Sequence, residues 1–190
     1  MESIGKKGEQ TMPFRLDRLL NSVELLIDEK VAKKIEKECA DAAKKATTAS
    51  KKAELIACLM EKLDKNVTKN FAQKTMESCG RKCIAKSTIK RALKLYQQSK
   101  DLEDFLSKLN QTGIGGGHLK RKGTQITARY IQCYCGWVSG SEGPIPMTYC
   151  FCSAGWYKEL FEKTLGKPVE VTILQSIASG AKDCRFIIDI

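Results

Sequence analysis

Histidine is nearly absent from this sequence: His118 is the only one in 190 residues. With one histidine and no nucleophile-elbow motif, no Ser–His–Asp set can be assembled. A Cys–His nucleophile pair would have to use His118, and nothing in the sequence singles out its cysteine. Phosphate-binding glycine motifs are missing as well. There is no Gly-Lys-Ser/Thr loop, and the run Gly113-Ile114-Gly115-Gly116-Gly117-His118 breaks the dinucleotide pattern at its last position. No window approaches 18 consecutive apolar residues, which predicts no membrane span. Residues 1–10 are polar and lack an apolar core, which predicts no signal peptide and a cytoplasmic location. Aromatic residues are only 7% of the chain, and between residues 1 and 130 they are sparse.

The charge is one-sided. Lys plus Arg is 33 against 22 acidic residues, a net of +11. Beyond Ile131 the balance is near −1, so the excess of about +12 belongs to the first part of the chain. Basic residues there are mostly Lys, interleaved with Glu at helical spacing, as in Lys33-Lys34-Ile35-Glu36-Lys37-Glu38. With so few rings to stack bases, the pattern reads as solvated helix faces and argues against nucleic acid as the partner.

The chain divides by hydrophobic period. Residues 1–12 have few apolar anchors and are expected to be a mobile tail. Residues 13–112 read as helices. The first runs from Pro13 through Ile35, followed by 53–63, 66–79, 83–98 and 101–109, with Gly80 as an end or a kink. Residues 113–190 read as strand-rich within the same compact domain. Strands are expected over 125–138, 147–152, 169–177 and 184–190, with a helix at 153–165. The fold class is α+β: N-terminal helices packed with an antiparallel sheet in the order hairpin, helix, hairpin. With 42% hydrophobic residues the chain can bury a core without disulfide staples.

Nine cysteines are the strongest chemical signal. Cys39 and Cys58 stand alone on helices and read as small buried apolar residues. Cys133-x-Cys135 and Cys150-x-Cys152 are symmetric about the point between Glu142 and Gly143. A hairpin in that register would pair Cys133 with Cys152 and Cys135 with Cys150, with all four thiols on one face. Three readings compete: a Zn or Fe–S site, a dithiol redox or disulfide pair, and inert buried thiols. The first is favoured. Cys79 and Cys83, one helical turn apart, are further candidate ligands, and packing of their helix over the hairpin face is expected. Beside them Arg81 and Lys82 would favour the thiolate. His118 and Cys184 are candidate ligands or hydrogen-bond partners of ligands. For His118, the plainer alternative is a loop histidine without a special role.

The C-terminal third carries a resemblance. Tyr149-Cys150-Phe151-Cys152-Ser153-Ala154-Gly155-Trp156 is followed by Lys167-Pro168-Val169-Glu170-Val171, then Ser176-Ile177, Gly180 and Cys184-Arg185-Phe186-Ile187-Ile188. Over roughly 130–190 this resembles the end of the four-vinyl reductase domain superfamily. Its relatives include proteins labelled L-2-amino-thiazoline-4-carboxylic acid hydrolase and an uncharacterised cysteine-rich subgroup. The resemblance implies helices against an antiparallel sheet, small and often hydrophobic ligands, and in some members a zinc near the last strand. Those zinc-bearing domains have a cysteine eight residues before the position of Cys184. Here Ser176 stands there, so a metal would fall to the Cys-x-Cys pairs. No catalytic set carries over.

The expected function is a small-molecule-binding or sensing module with a cysteine-ligated metal, with a homodimer as the candidate assembly. The alternatives are a hydrolase or reductase on the same scaffold and, third, a basic nucleic-acid-binding protein.

Overall fold

In a computed structural model, residues 14–190 are described, and the expected mobile tail of residues 1–12 lies outside them. The fold is α+β. Seven helices precede the sheet: α1 (Phe14–Leu26), α2 (Glu29–Glu38), α3 (Ala40–Lys45), α4 (Ala49–Asn66), α5 (Lys69–Cys83), α6 (Lys86–Gln97) and α7 (Leu102–Thr112). Strands β1 (Leu119–Lys122) and β2 (Gln125–Tyr130), helix α8 (Phe151–Leu165), and strands β3 (Glu170–Gln175) and β4 (Cys184–Asp189) follow. The sheet is antiparallel throughout, in the order β1-β2-β4-β3.

The first helix ends earlier than its apolar period predicts. Asp28 takes an extended conformation (φ −170°) and accepts the Lys30 backbone N–H at 2.5 Å, capping a new helix at Glu29. Capping also starts α7, where the Asp101 carboxylate accepts the Asp104 N–H at 2.8 Å. Gly113 in the left-handed region ends it. Gly80 neither ends nor kinks α5, which continues to Cys83.

Cys39 and Cys58, expected as separate apolar residues, form a disulfide. Cys39 sits at the junction of α2 and α3, and α4 packs back against both helices, so the two side chains meet in the helical core. The bridge closes a loop of 19 residues, a constraint on the unfolded chain worth about 3 kcal/mol in the entropic account.

The expected cysteine hairpin does not form. β2 stops at Tyr130, residues 131–146 have no regular structure, and Met147–Cys150 is a single 3-10 turn leading into α8. Two constraints explain this. Both edges of β2 are already taken, by β1 and β4. Pro144 and Pro146 remove backbone donors where a returning strand would need them. The hairpin–helix–hairpin order survives with a different first hairpin, β1–β2, whose β1 lacks an apolar alternation that would reveal it (Leu-Lys-Arg-Lys).

Two cores result. Leu55, Leu59, Met60, Leu63 and Met76 centre the helical one. Phe105, Leu109, Tyr157 and Phe161 pack with the inner face of the sheet, Ile126, Phe186 and Ile188, in the other. Helices α5 and α8 join them by unusually close backbone contact. A Cβ on Gly80 would lie 1.9 Å from the Cys152 carbonyl oxygen, and a Cβ on Gly155 would lie 1.9 Å from that of Glu77. Beside this contact Arg81 bonds both Glu162 oxygens (2.7 and 2.9 Å), and the buried Lys158 ammonium reaches Glu77 and Glu170 at 2.9 Å each.

Gly80→Ala and Gly155→Ala are therefore expected to lower stability by about 2 kcal/mol or more through overpacking, despite alanine's better helix propensity. Gly143, with open space around its Cβ position, is the control, and its Ala variant should be near neutral. Urea denaturation of the three variants measures this. A Gly80→Ala protein as stable as the parent would contradict the close contact.

Candidate functional site

Between the two cores lies a cavity of about 380 Å³. Its wall draws on helices α5 to α8, strands β2 and β4 and the segments between them. Cys83 and Thr88 come from α5 and α6, and the Thr112–Gly116 segment follows α7. Cys133, Tyr134, Cys135 and Val138 come from the loop after β2, and Tyr149 and Cys150 from the turn before α8. Cys152, Ser153 and Trp156 come from the first turns of α8, and Cys184 and Phe186 from the inner face of β4. Phe151 packs against both cores and closes the seam from behind.

Local sequence explains these placements. Along β4 the residues Cys184, Phe186 and Ile188 alternate inward, which turns one thiol toward the seam. The glycines after α7 allow the chain to fold over Tyr130. Gly116 has φ +86°, and a Cβ there would lie 2.2 Å from the Tyr130 ring. Tyr130 stacks on Tyr157 with centroids 5.7 Å apart, and meets Tyr134 and Phe186 edge-on at 5.2 Å each. The Tyr157 hydroxyl donates to the Gly115 carbonyl at 3.0 Å, fixing the glycine segment to the aromatic cluster.

The structure brings most of the candidate cysteines to one place, in an arrangement unlike a hairpin face. Cys83, Cys133, Cys135, Cys150, Cys152 and Cys184 all line the cavity. Cys79 lies behind it, beside a smaller space that Cys83 and Cys152 also border. Cys152 borders that space together with both α5 thiols, and its backbone lies against Gly80 between them. The Cys150 thiol and the Ser176 hydroxyl are 2.7 Å apart, and the Cys135 thiol and the Tyr149 hydroxyl 3.0 Å. The Ile177 N–H donates to the Cys184 sulfur at 3.3 Å. Among the described residues, no group of three or more His, Cys, Asp or Glu side chains is placed so that it could hold a metal ion.

Arg81 and His118 stand elsewhere. The Arg81 guanidinium points to Glu159 and Glu162 on α8, so it neutralises carboxylates rather than thiolates. His118 is exposed and contributes nothing to the wall. Lys82 reaches Ser22 at 3.4 Å and is likewise outside the cavity wall. Sequence reasoning passed over Tyr130, Tyr134, Trp156 and Phe186 as parts of a site. The one available signal was aromatic residues recurring in the last third, which reads equally well as sheet core.

Among the described residues, no Asp, Glu, Lys, Arg or His lines the cavity. Burial therefore favours the neutral form of Cys133, Cys150 and Cys184. Burial pushes Cys150 up to about 11, against a smaller opposing effect of its Ser176 hydrogen bond. It also raises Cys133 and Cys184. Cys152 is raised by its hydrogen bonds with Cys79 and Cys83 and then by burial, and Tyr130 by burial.

With this geometry in hand, comparison with known families is informative about kinship. The model of a family described as a family of unknown function, DUF6144, matches residues 15–190. The chain belongs to that family. No curated protein matches the chain. No helix among the described residues is long and apolar enough to cross a membrane.

A thiol whose pKa is higher folded than unfolded keeps its proton longer in the native state. Stability then falls as pH rises from the unfolded value, near 9, toward the folded one. Urea midpoints are expected to be flat from pH 7 to 8.5 and to drop between pH 9 and 11. Cys150→Ser should reduce that drop. A midpoint that rises over this interval would contradict neutral buried thiols.

Proposed function

We propose that this protein is a small-molecule-binding module, and that the cavity between its two cores takes an uncharged, largely apolar ligand. One observation carries the reading: a space of about 380 Å³, within the range of small-molecule sites, walled by aromatic rings, thiols and glycine backbone without a single ionisable acid or base other than Cys and Tyr. A charged ligand would find no counter-ion there, and its desolvation would go uncompensated. The Ser153 hydroxyl and the backbone of Gly113–Gly116 supply the few polar groups that orient a ligand. The resemblance to the four-vinyl reductase superfamily supports the same ligand class.

A ligand at this position touches both cores at once. Its binding energy adds to the cohesion of the seam, so occupancy is expressed as stability, as a sensor requires. Among the lysines of the helical part, Lys51 and Lys65 pair locally with Glu54 and Glu61. A second reading, a reductase on the same scaffold, is favoured by one observation: Cys83 and Cys152, from adjoining helices, line both the cavity and the smaller space behind it.

The test uses N-phenyl-1-naphthylamine, a neutral apolar dye. It is expected to bind with a dissociation constant in the micromolar range, to quench Trp156 by energy transfer and to raise the melting temperature. Ala178→Leu, which fills the wall next to Cys150 in a protein that still melts cooperatively, should weaken binding about ten-fold or more, roughly 1.4 kcal/mol. Absence of binding, or equal binding to parent and variant, would overturn the reading.

A further inference from the structure

Three cysteines meet where α5 and α8 touch. Cys79 and Cys83 lie one turn apart on the same face of α5, and Cys152 lies in the first turn of α8. The backbone contact at Gly80 sets the distance. Its Cβ position would fall 2.9 Å from the Cys152 Cα, so the Cys79–Cys83 turn and Cys152 are as close as two chains come. All three cysteines border one small space between the helices. Of the two α5 thiols, only Cys83 lines the large cavity as Cys152 does, whereas Cys79 is buried behind them. A small solute in the cavity thus meets two thiols from adjoining helices.

We propose that Cys83 and Cys152 form a reversible dithiol–disulfide site whose co-reactant is an uncharged low-molecular-weight disulfide admitted by the cavity. The proposal rests on the cavity admitting small solutes, as does the ligand-binding reading. In the first step the Cys83 sulfur, losing its proton, attacks one sulfur of the co-reactant. The co-reactant's S–S bond breaks, a mixed disulfide forms on Cys83, and the released thiolate takes up a proton to leave as a thiol. In the second step the Cys152 sulfur attacks the Cys83 sulfur. The Cys83–Cys152 bond forms, and the second half of the co-reactant leaves as a thiol, taking the proton that Cys152 gives up. Two protein thiols lose two electrons and two protons, and one disulfide becomes two thiols. Cys79, buried beside the same small space, packs behind the pair through the exchange.

Three of the other cavity cysteines have partners of their own. Cys150 and Cys135 are engaged with hydroxyls, and Cys184 accepts a backbone N–H. Cys39 and Cys58 are already bonded to each other.

The experiment exposes the full-length reduced protein, its Cys39–Cys58 bridge intact, to bis(2-hydroxyethyl) disulfide. It quenches with N-ethylmaleimide at intervals and maps the peptides by mass spectrometry. A Cys83–Cys152 link should appear about ten-fold or more faster than any link among Cys133, Cys135, Cys150 and Cys184, and dithiothreitol should reverse it. Cys152→Ala should trap one mercaptoethanol on Cys83. Cys79→Ala should still form the link. No Cys83–Cys152 link in protein with a native circular-dichroism spectrum, or a link formed no faster than the others, would overturn the proposal. The same samples are titrated with N-phenyl-1-naphthylamine. Dye binding without the link sinks the redox site alone, and the link without dye binding sinks only the apolar-ligand reading.

Discussion

The contact between α5 and α8 at Gly80 and Gly155 is the constraint on which the rest depends. Two helices normally sit 8–10 Å apart, separated by their side chains. Here a missing Cβ on each helix lets the backbone of one rest on a carbonyl of the other. The consequence is chemical as well as mechanical. Residues adjacent to the two glycines are forced into contact, and on α5 these are Cys79 and Arg81. Cys79 turns inward to Cys152, and Arg81 turns outward to the carboxylates of α8.

That division of inward thiols from outward charges sets the electrostatics of the whole site. Arg81 is satisfied by Glu162 and Glu159, and Lys158 by Glu77 and Glu170, so the cations near the seam have acidic partners. None of them faces the cavity. A buried thiol beside a guanidinium would ionise readily, whereas buried thiols without one stay protonated. The cavity is consequently a site of neutral sulfur and aromatic rings, suited to apolar solutes.

The α+β class, the helix at 101–109 and both C-terminal strands were legible because each is carried by a local signal: period or β-branched run. β1 was not, since Leu-Lys-Arg-Lys has no alternation and becomes a strand only by pairing with β2. The Cys-x-Cys symmetry was read as pairing register. It failed because register requires a free strand edge, and β2 has none. Most of the candidate cysteines nonetheless line one cavity, delivered there by different backbone elements. Cys39 and Cys58 carried no such mark. Their pairing depends on how α4 folds back on the α2–α3 junction, which only tertiary structure decides.

Ser176 shows how one residue shifts the chemistry of such a cluster. It is buried and its hydroxyl lies 2.7 Å from the Cys150 sulfur, while the next residue's N–H bonds the Cys184 sulfur. A cysteine at that position would put a third thiol beside Cys150 and Cys184, and three thiols with a backbone donor make a site that readily binds a soft cation. A hydroxyl instead offers a neutral hydrogen-bond partner that accepts or donates as needed, leaving Cys150 protonated and Cys184 a passive acceptor. The sulfur chemistry of the seam is thereby concentrated at the other end of the cavity, where Gly80 presses the Cys79–Cys83 turn against Cys152.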